Sequence, residues 1–166
     1  TEDVIAFDTG PGNMVIDALL DLATGGAQAY DKNGALAVQG RVVRELLAAW
    51  LHDPYFREPP PKTTGRELFG VQFARRIRSE AGDMRIEDLV ATATALTAES
   101  IARAYREFIL PRGPIDQVIV GGGGSRNPTL MAMLRERLPG ISLMNHEDFG
   151  IDSDAKEAIA LAIIAN

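Results

Sequence analysis

The segment Asp8-Thr9-Gly10-Pro11-Gly12-Asn13 follows a short apolar run at residues 4–7. Read as a buried strand that stops at a turn, the pair puts a carboxylate at the C-terminal end of a strand. That is the edge where open α/β sheets bind ligands. Gly10 and Gly12 let backbone approach a ligand closely. A carboxylate in this place can act as a general base or position a metal. It can equally cap the helix that follows, and spacing alone leaves both readings open.

A second segment of this kind begins at residue 117. Gln117-Val118-Ile119-Val120 reads as another buried strand, and it runs into Gly121-Gly122-Gly123-Gly124, then Ser125-Arg126-Asn127-Pro128 and a helix over 129–138. Backbone N–H groups at such a helix start can hold an anion or line a flat ring. No Gly-Lys-Ser or Gly-Lys-Thr follows, so this is not a P-loop. Arg126 stands where a dinucleotide fingerprint needs its third glycine. Four successive glycines exceed the needs of a turn, each costing roughly 0.5–1 kcal/mol of extra chain entropy, and this favours a ligand contact over a tight turn.

Lys62-Thr63-Thr64-Gly65-Arg66-Glu67 follows Pro59-Pro60-Pro61, a stiff extended linker. Arg66 is able to grip a carboxylate with both guanidinium arms, but Thr64 and Glu67 have capping-box spacing, and the cap is the favoured reading. Glu157 falls in the first turn of a final Ala-rich helix, where an acid suits the helix dipole; a ligand contact at a crevice is the alternative. Asp154 and Glu157 are themselves spaced like a capping box.

The elements that would carry these residues alternate. Helices are expected at 14–22, closed by Gly25-Gly26, then at 36–51, 66–81 and 86–110, and a third strand at 141–144. Ile86, Leu89, Val90, Ala93, Leu96, Ile101, Ala104, Tyr105 and Phe108 form one apolar stripe on the longest helix. Strands alternating with helices argue for an α/β domain with a largely parallel sheet.

Composition narrows the chemistry. The 166 residues suit one domain and are 46% hydrophobic and 24% charged, with a formal net charge of -6. Scattered cations in an acidic chain argue against nucleic acid. With no Cys, thiolate catalysis and zinc–thiolate sites are excluded. His52 and His146 stand far apart, so no His-rich metal site is expected, and no apolar run reaches the roughly 18 residues of a membrane span. Thr1-Glu2-Asp3 leads straight into the first apolar run without an initiator Met, which reads as a chain beginning inside a larger protein.

Five segments stand in an order and spacing that resembles the anhydro-N-acetylmuramic acid kinase family from end to end. They are Ala6-Phe7-Asp8-Thr9-Gly10-Pro11-Gly12-Asn13-Met14 with Asp17 after it, Asp53-Pro54-Tyr55-Phe56, Pro61-Lys62-Thr63-Thr64-Gly65-Arg66-Glu67, Gly122-Gly123-Gly124-Ser125-Arg126-Asn127-Pro128, and Glu157-Ala158-Ile159-Ala160. The resemblance implies an actin-like ATPase (ribonuclease H-like) fold, in which two similar α/β domains enclose a cleft. Residues 1–166 would then be the second, C-terminal domain of a two-domain kinase, lacking its first strands and leaving an unpaired sheet edge.

The implied reaction adds water to the anomeric carbon of a 1,6-anhydro sugar and transfers the γ-phosphoryl group of ATP, with Mg2+, to the freed 6-oxygen. Asp8 would be the base. Gly122, Gly123, Gly124 and Asn127 would line the nucleotide site, and Thr9, Gly10, Asn13 and Glu157 would face the sugar. No residue of the chain is assigned to the metal. A homodimer and a cytoplasmic location are family expectations. The family's N-terminal Gly-Thr-Ser phosphate segment and the phosphate hairpin upstream of Asp8 have no counterpart in these residues, so the chain alone is expected not to turn over. A kinase for another sugar or hydroxy acid, or a non-catalytic nucleotide-binding module, are the competing readings.

Overall fold

The computed structural model describes residues 4–152 and 161. In chain order its helices are α1 (Met14–Thr24), α2 (Arg44–Trp50), α3 (Arg66–Phe69), α4 (Val71–Glu80), α5 (Ile86–Ala104) and α6 (Pro128–Arg137). Strands β1 (Gln117–Val120) and β2 (Ser142–Asn145) flank α6. They pair in parallel from Gln117 opposite Ser142 to Val120 opposite Asn145. Parallel neighbours need a crossover between them, and α6 provides it. Mixed helix with a small parallel sheet agrees with the α/β class. The final helix expected from the sequence, with Asp154 and Glu157, lies outside the described residues.

The centre is α5. Its sequence from Ala91 to Ala98 alternates Ala and Thr with one Leu, and every one of these residues is buried. Small side chains let neighbours approach from all sides, so the single apolar stripe is a correction: the helix is covered nearly all round. Leu89, Val90, Ala93 and Leu96 join a core with Leu19 and Leu20 of α1, Trp50 of α2, Phe69 of α3 and Ile77 of α4. Further along, Ala98 and Ile101 pack on Leu130, Met131 and Leu134 of α6 and on Val120 and Leu143 of the strands. One helix thus serves two cores. Past Ala104 it does not continue as α-helix to residue 110 but loosens into a π turn, Tyr105–Ile109.

The buried hydroxyls of α5 find partners. Thr94 donates to the Val90 carbonyl at 2.8 Å and Ser100 to that of Thr97 at 3.0 Å. Thr92 donates to the Asp88 carbonyl and accepts from the Val43 N–H at 3.0 Å, while Asp88 accepts from the Arg41 N–H at 2.7 Å. These last bonds explain why 36–51 is not one helix. Residues 40–43 run without helix across the start of α5, between a short turn at Ala37–Gln39 and α2.

Other departures have local causes. The helix expected over 66–81 breaks at Gly70 into α3 and α4. The proline linker contains a cis Pro60–Pro61 bond. Residues 4–7 form no strand, because no neighbouring strand among the described residues pairs with them. Their side chains alternate instead, with Val4 75% exposed and Phe7 edge-on to Phe108 at 6.0 Å. β1 is likewise not buried: Ile119 is 50% exposed. By contrast α1 ends as expected, at Gly25 in the left-handed conformation.

Candidate functional site

Asp8 does not cap α1. The residue before that helix is Asn13, and no side chain caps it. The Asp8 carboxylate instead turns to the segment after the prolines. Its Oδ2 accepts from the Thr63 hydroxyl at 2.8 Å and from the Thr64 N–H at 2.9 Å. The Asp8 N–H donates to the Lys62 carbonyl at 3.0 Å, and the Tyr55 hydroxyl donates to the Asp8 carbonyl at 2.7 Å. Burial, helped by the charges of Asp8 and Glu58, pushes the Tyr55 phenol up to about 12, so it remains a donor across the neutral range. Oδ1 has no hydrogen-bond partner among the described residues. Asp8 as a residue is exposed.

The clamp rests on aromatic packing. Tyr55, Phe56, Phe69 and Phe73 pack together with ring centroids 5.0–6.0 Å apart, edge-on in every pair but the stacked Phe56 and Phe69. Lys62 donates to the Tyr55 carbonyl at 3.0 Å and lies 4.6 Å from the Tyr55 ring and 5.6 Å from the Phe108 ring. Burial lowers its pKa, with Arg103 adding to the fall and Glu58 and Glu107 opposing it. The cap expected from Thr64 and Glu67 does not form. Gly65 takes the N-cap position of α3 without a side-chain bond, Thr63 goes to Asp8, and the buried Thr64 hydroxyl has no partner among the described residues.

Beyond Asp8 the loop folds back on α5. A Cβ at Gly10 would stand 2.7 Å from Ser100 Oγ and 3.0 Å from Phe56 Cε1, so only glycine fits there. Thr9 precedes it, half-buried. Thr97 donates to the Gly12 carbonyl at 2.6 Å. Asn13 then reaches the glycine-rich segment, and a Cβ on Gly123 would be 3.5 Å from its Nδ2.

Asn13, Gly123 and Asn127 line one cavity of about 520 Å³ together with Asp17, Tyr30, Lys32, Asn33 and Arg126. That size suits a small organic ligand. Gly122 and Gly124 are not among the lining residues; their carbonyls close the turn before α6, that of Gly122 accepting from the Ser125 hydroxyl at 2.8 Å and that of Gly124 from the Asn127 N–H at 3.1 Å. Asp8 is not among the lining residues, so the two chemical groups sit at opposite ends of one loop. Among the described residues, no three His, Cys, Asp or Glu side chains gather where a metal ion could be held.

Asn127 both borders the cavity and caps α6, its Oδ1 accepting from the Leu130 N–H at 3.0 Å. Asn127→Ala removes the cap, at a cost of about 1 kcal/mol. A fall of about 2–4 °C in thermal midpoint is expected, and differential scanning calorimetry would measure it.

The loop Tyr30-Asp31-Lys32-Asn33 is a lining element that the sequence showed only as a polar turn at Asn33-Gly34. Asp31 shapes it, its two oxygens accepting from the Leu36 N–H at 2.9 Å and the Ala37 N–H at 3.0 Å. Asp17 separates this cavity from a second one, which also contains Arg66. Burial raises the Asp17 pKa and the Arg66 charge opposes that rise. Arg66 therefore faces the α1 side, a position that motif spacing could not reveal.

Comparison with known proteins adds an independent observation. The model of a family described as anhydro-N-acetylmuramic acid kinase matches residues 1–166. Proteins named anhydro-N-acetylmuramic acid kinase are 51% identical over 167 residues in Caldanaerobacter subterraneus, 49% over 164 in Gloeobacter violaceus and 47% over 167 in Bacillus cereus. Each match covers 99% of this chain but only 42–43% of the relative. The chain thus spans about two fifths of the length of the relatives it matches.

Proposed function

Because this chain belongs to the anhydro-N-acetylmuramic acid kinase family, we propose that it is the C-terminal nucleotide- and sugar-binding domain of a two-domain, ATP-dependent sugar kinase. The whole enzyme, with an actin-like, ribonuclease H-like fold, opens 1,6-anhydro-N-acetylmuramic acid with water and delivers N-acetylmuramic acid 6-phosphate. Its place is the cytoplasm, in peptidoglycan and amino-sugar recycling. Among the described residues no helix is long and apolar enough to cross a membrane.

The observation that carries this reading is the Asp8 carboxylate, fixed through Oδ2 with Oδ1 open. Asp8 takes a proton from water as the water oxygen bonds to the anomeric carbon. The anomeric carbon's bond to the bridging oxygen breaks, and that oxygen, left at position 6, takes the γ-phosphoryl group from ATP as ADP departs. Phosphoryl transfer of this kind depends on positioning and charge neutralisation. The loop Thr9-Gly10-Pro11-Gly12-Asn13 carries the sugar contacts next to the base, with Glu157 as a further contact.

The cavity fits a nucleoside in size and chemistry: Gly123 exposes backbone to it, and Asn13, Asn33 and Asn127 border it with amides. In this reading Gly122, Gly123, Gly124 and Asn127 hold the nucleotide, and Tyr30 and Lys32 add a ring and a cation. The described residues offer Mg2+ no cage of their own, so the ion would enter with the nucleotide phosphates, whose charge it would neutralise.

Coupled ADP release by the full-length protein tests this. We expect release with the anhydro sugar and none with glucose or glycerate. Release with either of those alone would identify a kinase for another sugar or hydroxy acid. Silence with all three would leave a nucleotide-binding module without catalysis. Light scattering of the same sample would test the homodimer expected of the family.

A further inference from the structure

We propose that Thr63 is the positioning residue of the Asp8 base, its hydroxyl holding Oδ2 so that Oδ1 alone is presented to the water. This rests on reading Asp8 as the base. The terminal torsion of an Asp side chain is broad and nearly two-fold, so a carboxylate on a fixed backbone still rotates and exchanges its oxygens. Two donors on one oxygen stop that rotation. Here the Thr63 hydroxyl at 2.8 Å and the Thr64 N–H at 2.9 Å both meet Oδ2.

Other bonds already hold the backbone on both sides. The Asp8 N–H is bound to the Lys62 carbonyl and the Asp8 carbonyl to Tyr55. Lys62 is anchored at the Tyr55 carbonyl and ring. Thr63 itself is exposed, lies outside both buried clusters and caps no helix. Its hydroxyl is therefore spare for folding and specific for the carboxylate. The Thr64 donor is backbone and cannot be deleted by a side-chain change, which makes Thr63 the adjustable half of the pair.

The test is steady-state kinetics of the full-length kinase with anhydro-N-acetylmuramic acid, comparing the parent with Thr63→Val, Thr63→Ser, Asp8→Asn and the Thr63→Val/Asp8→Asn double variant. Thr63→Val keeps shape and removes the donor. It is expected to lower kcat about tenfold or more with KM for sugar and ATP within about twofold. Thr63→Ser is expected to restore most of the rate, and in the Asp8→Asn background Thr63→Val is expected to cost nothing further. Should Thr63→Val fail to fold, Thr63→Ala takes its place with the same expectations. A kcat near that of the parent, a loss shared by KM, or an undiminished loss in the Asp8→Asn background would each overturn the positioning role while leaving the base intact. A fully active Asp8→Asn protein would overturn the base itself, and the proposal with it.

Discussion

Asp8→Asn in the full-length protein is expected to reduce kcat for anhydro-N-acetylmuramic acid by roughly 100-fold or more, the usual cost of losing a general base. Asn keeps the size and one oxygen of the carboxylate, so the bonds from Thr63 and the Thr64 N–H to that oxygen can persist. The backbone bonds from Tyr55 and to Lys62 do not involve the side chain. What disappears is the free oxygen's capacity to take a proton. KM and the thermal midpoint are therefore expected to stay close to the parent while turnover collapses. Coupled ADP release gives both kinetic constants in one series. Equal turnover in the two proteins would remove Asp8 from the mechanism and leave the family membership untouched.

How much of this was legible beforehand depended on the range of the interaction. α1 could be read because its signals are local: apolar residues three and four apart, then Gly25 to close it. β1, α6 and β2 were equally local, and their βαβ order followed from alternation alone. The Asp8 site was only half legible. That the carboxylate lies on a glycine-bearing loop is visible in the chain, but its partners are 55 and 56 residues away. Nothing in Thr63 or Thr64 separates a hydroxyl or N–H bound for Asp8 from a local cap. The Tyr30–Asn33 lining was missed for a similar reason: its shape comes from Asp31 bonds to Leu36 and Ala37, which a polar turn signature does not encode. Residues 4–7 misled because an apolar run signals burial without supplying the neighbour that a strand's backbone needs.

Residues 36–51 separate local from long-range reasoning most sharply, and a single substitution decides between them. As one amphipathic helix, the segment would contain Gly40 in its interior, and Gly40→Ala would stabilise the protein by about 1 kcal/mol. In the structure the sign reverses. A Cβ at Gly40 would overlap the backbone carbonyl of Glu87 and stand 2.8 Å from the Asp88 N. Both belong to the first turn of α5, whose backbone is not free to yield. The chain at residue 40 would have to lift away, taking with it the Arg41 N–H bond to Asp88 and the Val43 N–H bond to Thr92. Overpacking costs about 1–3 kcal/mol and each lost hydrogen bond roughly 0.5–1.5 kcal/mol, so about 3 kcal/mol of destabilisation is expected. At this chain length that corresponds to a fall of about 6–12 °C in thermal midpoint. A rise on calorimetric unfolding would restore the continuous helix; a fall of this size requires the glycine to lie against α5, where the same contact sets the path of the chain into α2.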